Sequence, residues 1–411
     1  MRDTVFYYRH ADEAIRKLSK MFGSVLVTGA RQVGKTTLLK ETARNAGYVS
    51  LDDKIQLLNA AEQSGTFFKD NPPPVFVDEV QHAPNLFPQI KIILDKEKKK
   101  GQFFLSGSQH FEMMKNVSES LAGRIGILAL PGLSLRELYG VAFREPFLPT
   151  DEYFANRVKE KADISYDDVW SIIHRGSYPE LCANIDFDWQ MFFAAYVKTY
   201  IERDVRALAQ VGDELKFMRF MMVAASCTGQ LLNKESLARD VGISPLTAER
   251  WLSILVSSNL VCLLKPYHNN ITKRAVKTPK LYFLDTGLAS YLTRWTTAEV
   301  LKNGAMAGAF FETFVISEII KSYGNNGILD LPFYFYRDRD GNEIDLLIEV
   351  GGVMYPIEIK KHADPSKSDA AKFHIIDKIP TIKRGPGGVV CLYDNLVTLL
   401  GNDKAIPINL L

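Results

Sequence analysis

Between Gly23 and Leu130, short apolar runs alternate with stretches of helical periodicity. The runs "SVLVTG", "YVSL", "PVFVDE", "QFFLSG" and "RIGILAL" read as strands, and their alternation with helices predicts a parallel sheet flanked by helices. The stretch around "KIILDKEKKK" reads as a helix whose closing lysines form a solvated end complementing its dipole. Residues from about 132 to 212 read as helical and close with "DWQMFFAAYVKTYIERDVRALAQV", whose aromatic spacing suits a long helix packed on one side. Residues 213 to 285 carry a helix-turn-helix pattern followed by short strands, and 300 to 411 a helix, a hairpin and a mixed segment. Breaks near 131, 212 and 296 divide the chain into four expected units: 1–131, 132–212, 213–296 and 297–411.

A chain of 411 residues exceeds one core of ordinary size, and at about 100–200 residues per domain it predicts two to four domains. With 46% hydrophobic and 24% charged residues, the composition is that of a soluble globular protein. The longest apolar stretches, such as Ile125 to Leu135, fall short of the roughly 18 residues that cross a bilayer. The opening "MRDTVFYYRH" carries charge at once, unlike a secretory signal, so a cytoplasmic location with no membrane partner is expected. Cys182, Cys227, Cys262 and Cys391 lie tens of residues apart, matching neither a zinc spacing nor a disulfide framework, and are expected to be reduced, mostly buried thiols. With 50 basic and 48 acidic side chains the net charge is only +2, so any contact with nucleic acid must come from a local basic patch.

Chemistry enters with "GARQVGKT", which follows an apolar strand, precedes a helical stretch and fits the phosphate-loop pattern GxxxxGK[ST]. Gly29, Ala30, Arg31, Gln32, Val33, Gly34, Lys35, Thr36 and Thr37 are the candidate nucleotide contacts. Glycines let backbone N–H groups turn toward the phosphates, and the helix presents its positive end. Lys35 is expected to neutralise the β and γ phosphates and Thr36 to ligate Mg²⁺. The strand "PVFVDE" supplies Asp78, suited to hold Mg²⁺ through water, and Glu79, suited to orient and deprotonate the attacking water. Ser106 and Ser108, ending "QFFLSGS", are candidates for contact with the γ-phosphate or that water; equally, they suit a turn. Arg124 is a candidate to reach a neighbouring subunit's nucleotide, or else a member of a surface ion pair; Arg203 ranks below it.

"GARQVGKTTLL", "FVDEVQ", "LSGSQ", "LAGR", "GSYPE" and "YIERDV" occur in an order that resembles the prokaryotic AAA-type ATPases carrying a C-terminal domain of unknown function. That resemblance covers nearly the whole chain. It implies an α/β fold: a P-loop AAA-type parallel sheet with a helical lid, then a winged helix and a PD-(D/E)XK nuclease-like α/β domain. Homo-oligomerisation is also implied. In "HRGSYPE", Arg175 stands where the family more usually has glycine.

"NKESLARDVGISPLTAERWLSILVSSNLVCLLKPY" has the layout of a winged helix: Asn233 caps one helix, Gly242 makes the turn, and Ser244 with Pro245 starts a second. Leu252, Leu255 and Val256 are expected to face its core. The segment "HNNITKRAVKTPK" places Lys273, Arg274, Lys277 and Lys280 together without an acidic residue. With only Arg250 available on the second helix, the expectation is DNA binding dominated by phosphate contacts and tolerant of sequence, single-stranded or branched forms included. A protein-contact module is the competing reading.

"EIDLLIEVGGVMYPIEIKK" reads as a hairpin around Gly351-Gly352 that sets Asp345 across from Glu358 and Glu343 across from Lys360. Like charges facing one another are tolerable when a divalent cation sits between them. Asp345, Glu358 and Lys360 resemble the D…ExK pattern of the PD-(D/E)XK fold, and "GAFFETFVISEII" resembles its first helix, with Glu312 as a further ligand. The resemblance implies Mg²⁺ held by the three carboxylates, with Lys360 positioning or deprotonating a water. A charged edge hairpin, or one inherited for docking, competes. The expected function is Mg²⁺-dependent ATP hydrolysis coupled to DNA binding or remodelling, with metal-dependent nuclease activity in the tail left open. The alternative is an ATP-driven switch whose C-terminal modules bind a protein partner.

Overall fold

The computed structural model describes residues 6–107, 119–142, 144–200, 214–268, 278–338, 340–379 and 382–411. All five expected strands of the first sheet are present: β1 (Ser24–Thr28), β2 (Gly47–Ser50), β3 (Val75–Asp78), β4 (Phe103–Ser106) and β5 (Ile125–Ala129). They lie in the order β2-β3-β4-β1-β5, every pair parallel. Side chains alternate between two cores, as a strand's twofold period requires. Val25, Val27, Phe76 and Phe104 enter one, whereas Leu26, Val75, Val77, Phe103 and Leu105 enter the other. Because the strands are parallel, their carboxyl ends share one edge, where open α/β sheets bind ligands.

The following segment is helical. Helix Tyr166–Arg175 is started by a Ser165–Asp168 capping box, and helix Trp189–Tyr200 buries Phe192, Phe193, Tyr196 and Tyr200. The rest of the expected long helix, Arg203 included, lies outside the described residues. Arg175 finds a structural use: its guanidinium donates to the carbonyls of Leu181, Asn184 and Phe187, tying down the short helix Pro179–Ala183 and the turn after it.

Helices Lys234–Val241 and Pro245–Ser257 form the helix-turn-helix. Asn233 accepts from the Ser236 N–H, Ser244 accepts from the Thr247 N–H, and Pro245 occupies the first turn, as expected. Leu252 and Leu255 are buried; Val256, expected beside them, is 37% exposed and lines a cleft toward the first sheet instead.

The strands β6 (Gln230–Leu231), β7 (Val261–Pro266) and β8 (Lys280–Phe283) do not close a separate unit. β7 pairs in parallel with β9 (Phe333–Arg337) through Lys265 opposite Tyr334 and Pro266 opposite Phe335. The sheet continues through β10 (Glu343–Val350), β11 (Val353–Ile359), β13 (Gly388–Cys391), β15 (Asp403–Pro407) and β14 (Val397–Leu400), with β12 (Lys383–Arg384) beside β11. Residues 213–296 and 297–411 therefore share one sheet, and the break expected near 296 does not divide it.

Helix Ala307–Gly324 runs between the two sheets and is buried on nearly every side, as apolar residues all round its circumference require. Glu318 accepts from the Leu135 N–H at 2.8 Å, and Lys321 donates to the Leu133 carbonyl at 2.9 Å, both just beyond β5. Ser317 donates to the Leu284 carbonyl beyond β8 at 2.7 Å. This helix therefore contacts the end of the first sheet and the start of the second at once.

Candidate functional site

The first candidate site lies at the carboxyl edge of β1, β3 and β4. Gly29 leaves β1 with φ +142°, and a Cβ there would meet the Leu130 carbonyl oxygen at 2.3 Å, so the position admits only glycine. The loop closes on helix Lys35–Thr42. Buried Lys35 donates from Nζ to the carbonyls of Gly29, at 3.1 Å, and Ala30, at 2.8 Å. Ala30 and Val33 are buried beneath the loop, whereas Gln32 and Thr37 are exposed and Arg31, Gly34 and Thr36 are half-buried.

Thr36 donates to Asp78 Oδ1 at 3.2 Å, the Ser106 hydroxyl donates to the same oxygen, and the Tyr48 hydroxyl donates to Oδ2 at 3.2 Å. A threonine hydroxyl beside a buried carboxylate is a hard oxygen pair of the kind that suits Mg²⁺. Glu79 has a left-handed backbone, φ 57°, unusual for a side-chain-bearing residue and typical of over-determined functional turns. Its N–H donates to Ser106 Oγ at 3.3 Å, and its carboxylate accepts from Gln81. Ser108 lies outside the described residues.

Two supporting residues had no signal in the local pattern. Arg9 donates from Nη1 to the Val33 carbonyl of the loop at 2.7 Å, from Nη2 to the Pro131 carbonyl at 2.8 Å, and from Nε to Glu137 at 3.0 Å. Both charges are buried. Burial opposes ionisation of Glu137, but Arg9, His10 and backbone N–H groups outweigh it and hold the carboxyl below its ordinary pKa. Glu137 closes a capping box with Ser134, and nothing in that spacing points across 128 residues to Arg9.

Arg124 stands at the opposite, amino-terminal edge of β5. Its guanidinium forms a twofold pair with Asp95 of helix Leu86–Glu97, at 2.6 and 3.1 Å. The surface ion pair weighed from the sequence is thus the contact that it makes.

The second candidate site is the face of the second sheet. Gly351 and Gly352 take φ 60° and 75°, and the register runs from Val350 opposite Val353 to Leu346 opposite Ile357, the expected hairpin. Asp345 accepts from the Ile359 N–H at 2.8 Å, and Lys360 donates to Glu358 at 2.5 Å. Lys280, expected on an exposed basic segment, is instead 3% exposed. Its Nζ lies 2.5 Å from Glu343, 3.0 Å from Glu312 and 3.9 Å from Asp345, so it is out of reach of a phosphate backbone. Tyr282 donates to Glu312 at 2.6 Å. Lys273, Arg274 and Lys277 lie outside the described residues; Arg250 is exposed.

Burial and the charge of Asp345 push the Glu312 carboxyl up to about 7, and the same two causes push Glu358 up to about 7. Burial also raises Asp345. Among the described residues no group of three or more His, Cys, Asp or Glu side chains is placed to hold a metal ion. Glu312, Asp345 and Glu358 as arranged do not fit the Mg²⁺ that the resemblance implied, because the Lys280 ammonium stands against Glu312 and Asp345 and the Lys360 ammonium against Glu358.

A cleft of about 470 Å³ lies beneath the phosphate loop, between Ala30, Val33, Tyr178, Val256, Leu263 and Lys321. Nearby, Asp285 accepts from the Ser177 N–H and hydroxyl at 2.7 and 2.8 Å, joining "GSYPE" to the segment after β8.

Residues 22–139 match the model of a family described as an AAA domain. Residues 307–411 match a domain of unknown function, DUF4143, and residues 166–299 another, DUF8612. The chain thus combines an AAA domain with a C-terminal domain of unknown function. It is 29% identical over 381 residues to the uncharacterized protein Rv2008c of Mycobacterium tuberculosis and to the uncharacterized protein Mb2031c of Mycobacterium bovis, covering 90% of this chain and 77% of each relative. Among solved structures, the Walker-type ATPase PABY2304 of Pyrococcus abyssi is similar over 71% of this chain and 97% of its own, with 13% identity and a TM-score of 0.44. No helix among the described residues is long and apolar enough to cross a membrane.

Proposed function

We propose that the chain hydrolyses ATP with Mg²⁺ at the carboxyl edge of the first sheet. The observation that carries this reading is the convergence of Lys35, Thr36, Asp78 and Ser106 from three neighbouring strand ends. Thr36 and Asp78 would hold Mg²⁺, which would supply positive charge to the triphosphate. Lys35 exchanges its two loop carbonyls for phosphate oxygens, a gain because charge-assisted hydrogen bonds are the stronger kind. Glu79, in the turn after β3, orients the attacking water and takes its proton. Arg9 keeps the loop in register by holding the Val33 carbonyl. The test is phosphate release by wild type, Lys35→Ala and Glu79→Gln. Turnover lost in both variants supports the reading, and a wild type that neither retains nor consumes ATP with any divalent metal overturns it.

The finer reading couples turnover to DNA, gripped without sequence preference through the helix-turn-helix Asn233–Ser257 and the basic segment after β7. Helix Ala307–Gly324 supports a mechanical link, because it bonds to residues just beyond both β5 and β8. ATP turnover that rises on adding DNA, and less so at high salt, is the expected outcome. Assembly into a homo-oligomer belongs to the same proposal.

A second reading, a switch whose C-terminal sheet docks a protein partner without cutting DNA, is favoured by one observation: Lys280 fills the carboxylate face that a nuclease would use for metal. Indifference of ATP turnover to single-stranded, duplex and branched DNA would favour the switch.

A further inference from the structure

The face of the second sheet gathers Glu312 from the long helix, Glu343 and Asp345 from one side of β10, and Glu358 from β11. Asp345 and Glu358 are 9% and 2% exposed, so water does little to screen their repulsion. A buried carboxylate group of this density needs a cation. Lys280 reaches it from another part of the sheet: β8 pairs with β7, β7 with β9 and β9 with β10, and the ammonium passes over the Phe335 ring of β9, 5.6 Å from its centroid. Burying an ammonium is itself unfavourable by several kcal/mol unless it is paired, and here three carboxylates surround it. The compensation is incomplete. Glu358 Oε1 accepts from Lys360, but its Oε2 is buried and has no hydrogen-bond partner among the described residues.

We infer that Lys280 is an internal cation standing beside Glu312, Glu343 and Asp345 in place of a divalent metal, and that it must be displaced before a metal ion can bind there. One ammonium carries half the charge of a divalent ion and reaches Glu312, Glu343 and Asp345 only; Glu358 Oε1 is met by Lys360 at 2.5 Å and Lys372 at 3.9 Å instead. The same side chain that ties β8 to β10 thereby keeps metal out. This inference does not depend on ATP hydrolysis, because it concerns binding in the absence of nucleotide.

The experiment is Mn²⁺ binding to the full chain without nucleotide, read from the loss of the free-ion electron paramagnetic resonance signal. Lys280→Met should bind one Mn²⁺ at least about tenfold more tightly than wild type, since the carboxylates lose their resident charge. The gain should vanish in Lys280→Met/Asp345→Asn, which separates this face from the phosphate loop. If Lys280→Met does not fold, Glu343→Gln serves: it removes the shortest contact of Lys280 and leaves Glu312, Asp345 and Glu358 in place, so tighter binding is again expected. Equal affinity in wild type and a folded variant, or a gain that survives Asp345→Asn, overturns the inference.

Discussion

The two candidate sites each hold a buried lysine among oxygen atoms, and they hold it differently. Lys35 donates to two carbonyls of its own loop, whereas Lys280 lies among three carboxylates from a helix and a strand. Replacing neutral carbonyls by phosphate strengthens the bonds that a lysine makes; replacing carboxylates by solvent or by a neutral group weakens them and strands negative charge. The same side chain is thus available for an anionic ligand in the first sheet and serves as a staple in the second. Residue type alone does not decide which.

The comparison breaks most sharply where a buried charge loses its partner. Lys280→Ala, and separately Arg9→Ala, should each lower the unfolding free energy by about 3–5 kcal/mol, because Glu312, or Glu137, would remain buried without its paired cation. Urea denaturation checks both, and an unshifted midpoint for either would remove its staple role. Lys280→Ala should leave ATP turnover of the folded protein unchanged.

Lys35→Ala should do the reverse, lowering turnover by about 100-fold or more while the circular dichroism spectrum stays that of wild type. A loss of structure instead would make Lys35 a staple too, and the contrast between the sites would disappear.

A smaller effect is expected at His174, whose Nε2 bonds to the Trp295 carbonyl at 2.8 Å at the junction of the two regions. Burial lowers its pKa, against the pull of that hydrogen bond. Below about pH 6.5 the unfolded chain takes up this proton first, so the group's contribution is complete above that value and is lost as the pH falls through the lower folded value. Stability of wild type relative to His174→Gln should therefore decline on acidification from pH 7, measured by denaturation at several pH values; a constant difference would contradict the assignment. Least of all is expected of Arg124→Ala, which removes an exposed pair with Asp95 and should leave the melting temperature unchanged. A loss of turnover in Arg124→Ala, restored by mixing with Lys35→Ala protein, would instead identify it as acting on a neighbouring subunit.

Much of the first site was legible in the chain. Apolar runs of strand length, the glycine spacing of the phosphate loop, and Asp78 with Glu79 at the end of β3 are consequences of local periodicity and turn geometry. The caps Asn233 and Ser244 and the Gly351-Gly352 turn were legible for the same reason. Arg9 was not, since its partners lie 24 to 128 residues away. Lys280 was read from its basic neighbours as a solvent-facing residue, whereas strand pairing turns it inward beside Tyr282.

The sequence by itself determined the strands of the first sheet, the phosphate loop, the helix caps and the hairpin register, because each rests on interactions among residues a few positions apart. Tertiary structure alone decided that β7 pairs with β9 and so merges two expected units into one sheet, and that Lys280 fills the carboxylate face. Charge compensation in a buried site depends on which segments meet there, and that is settled by the packing of distant strands and a shared helix, not by spacing along the chain.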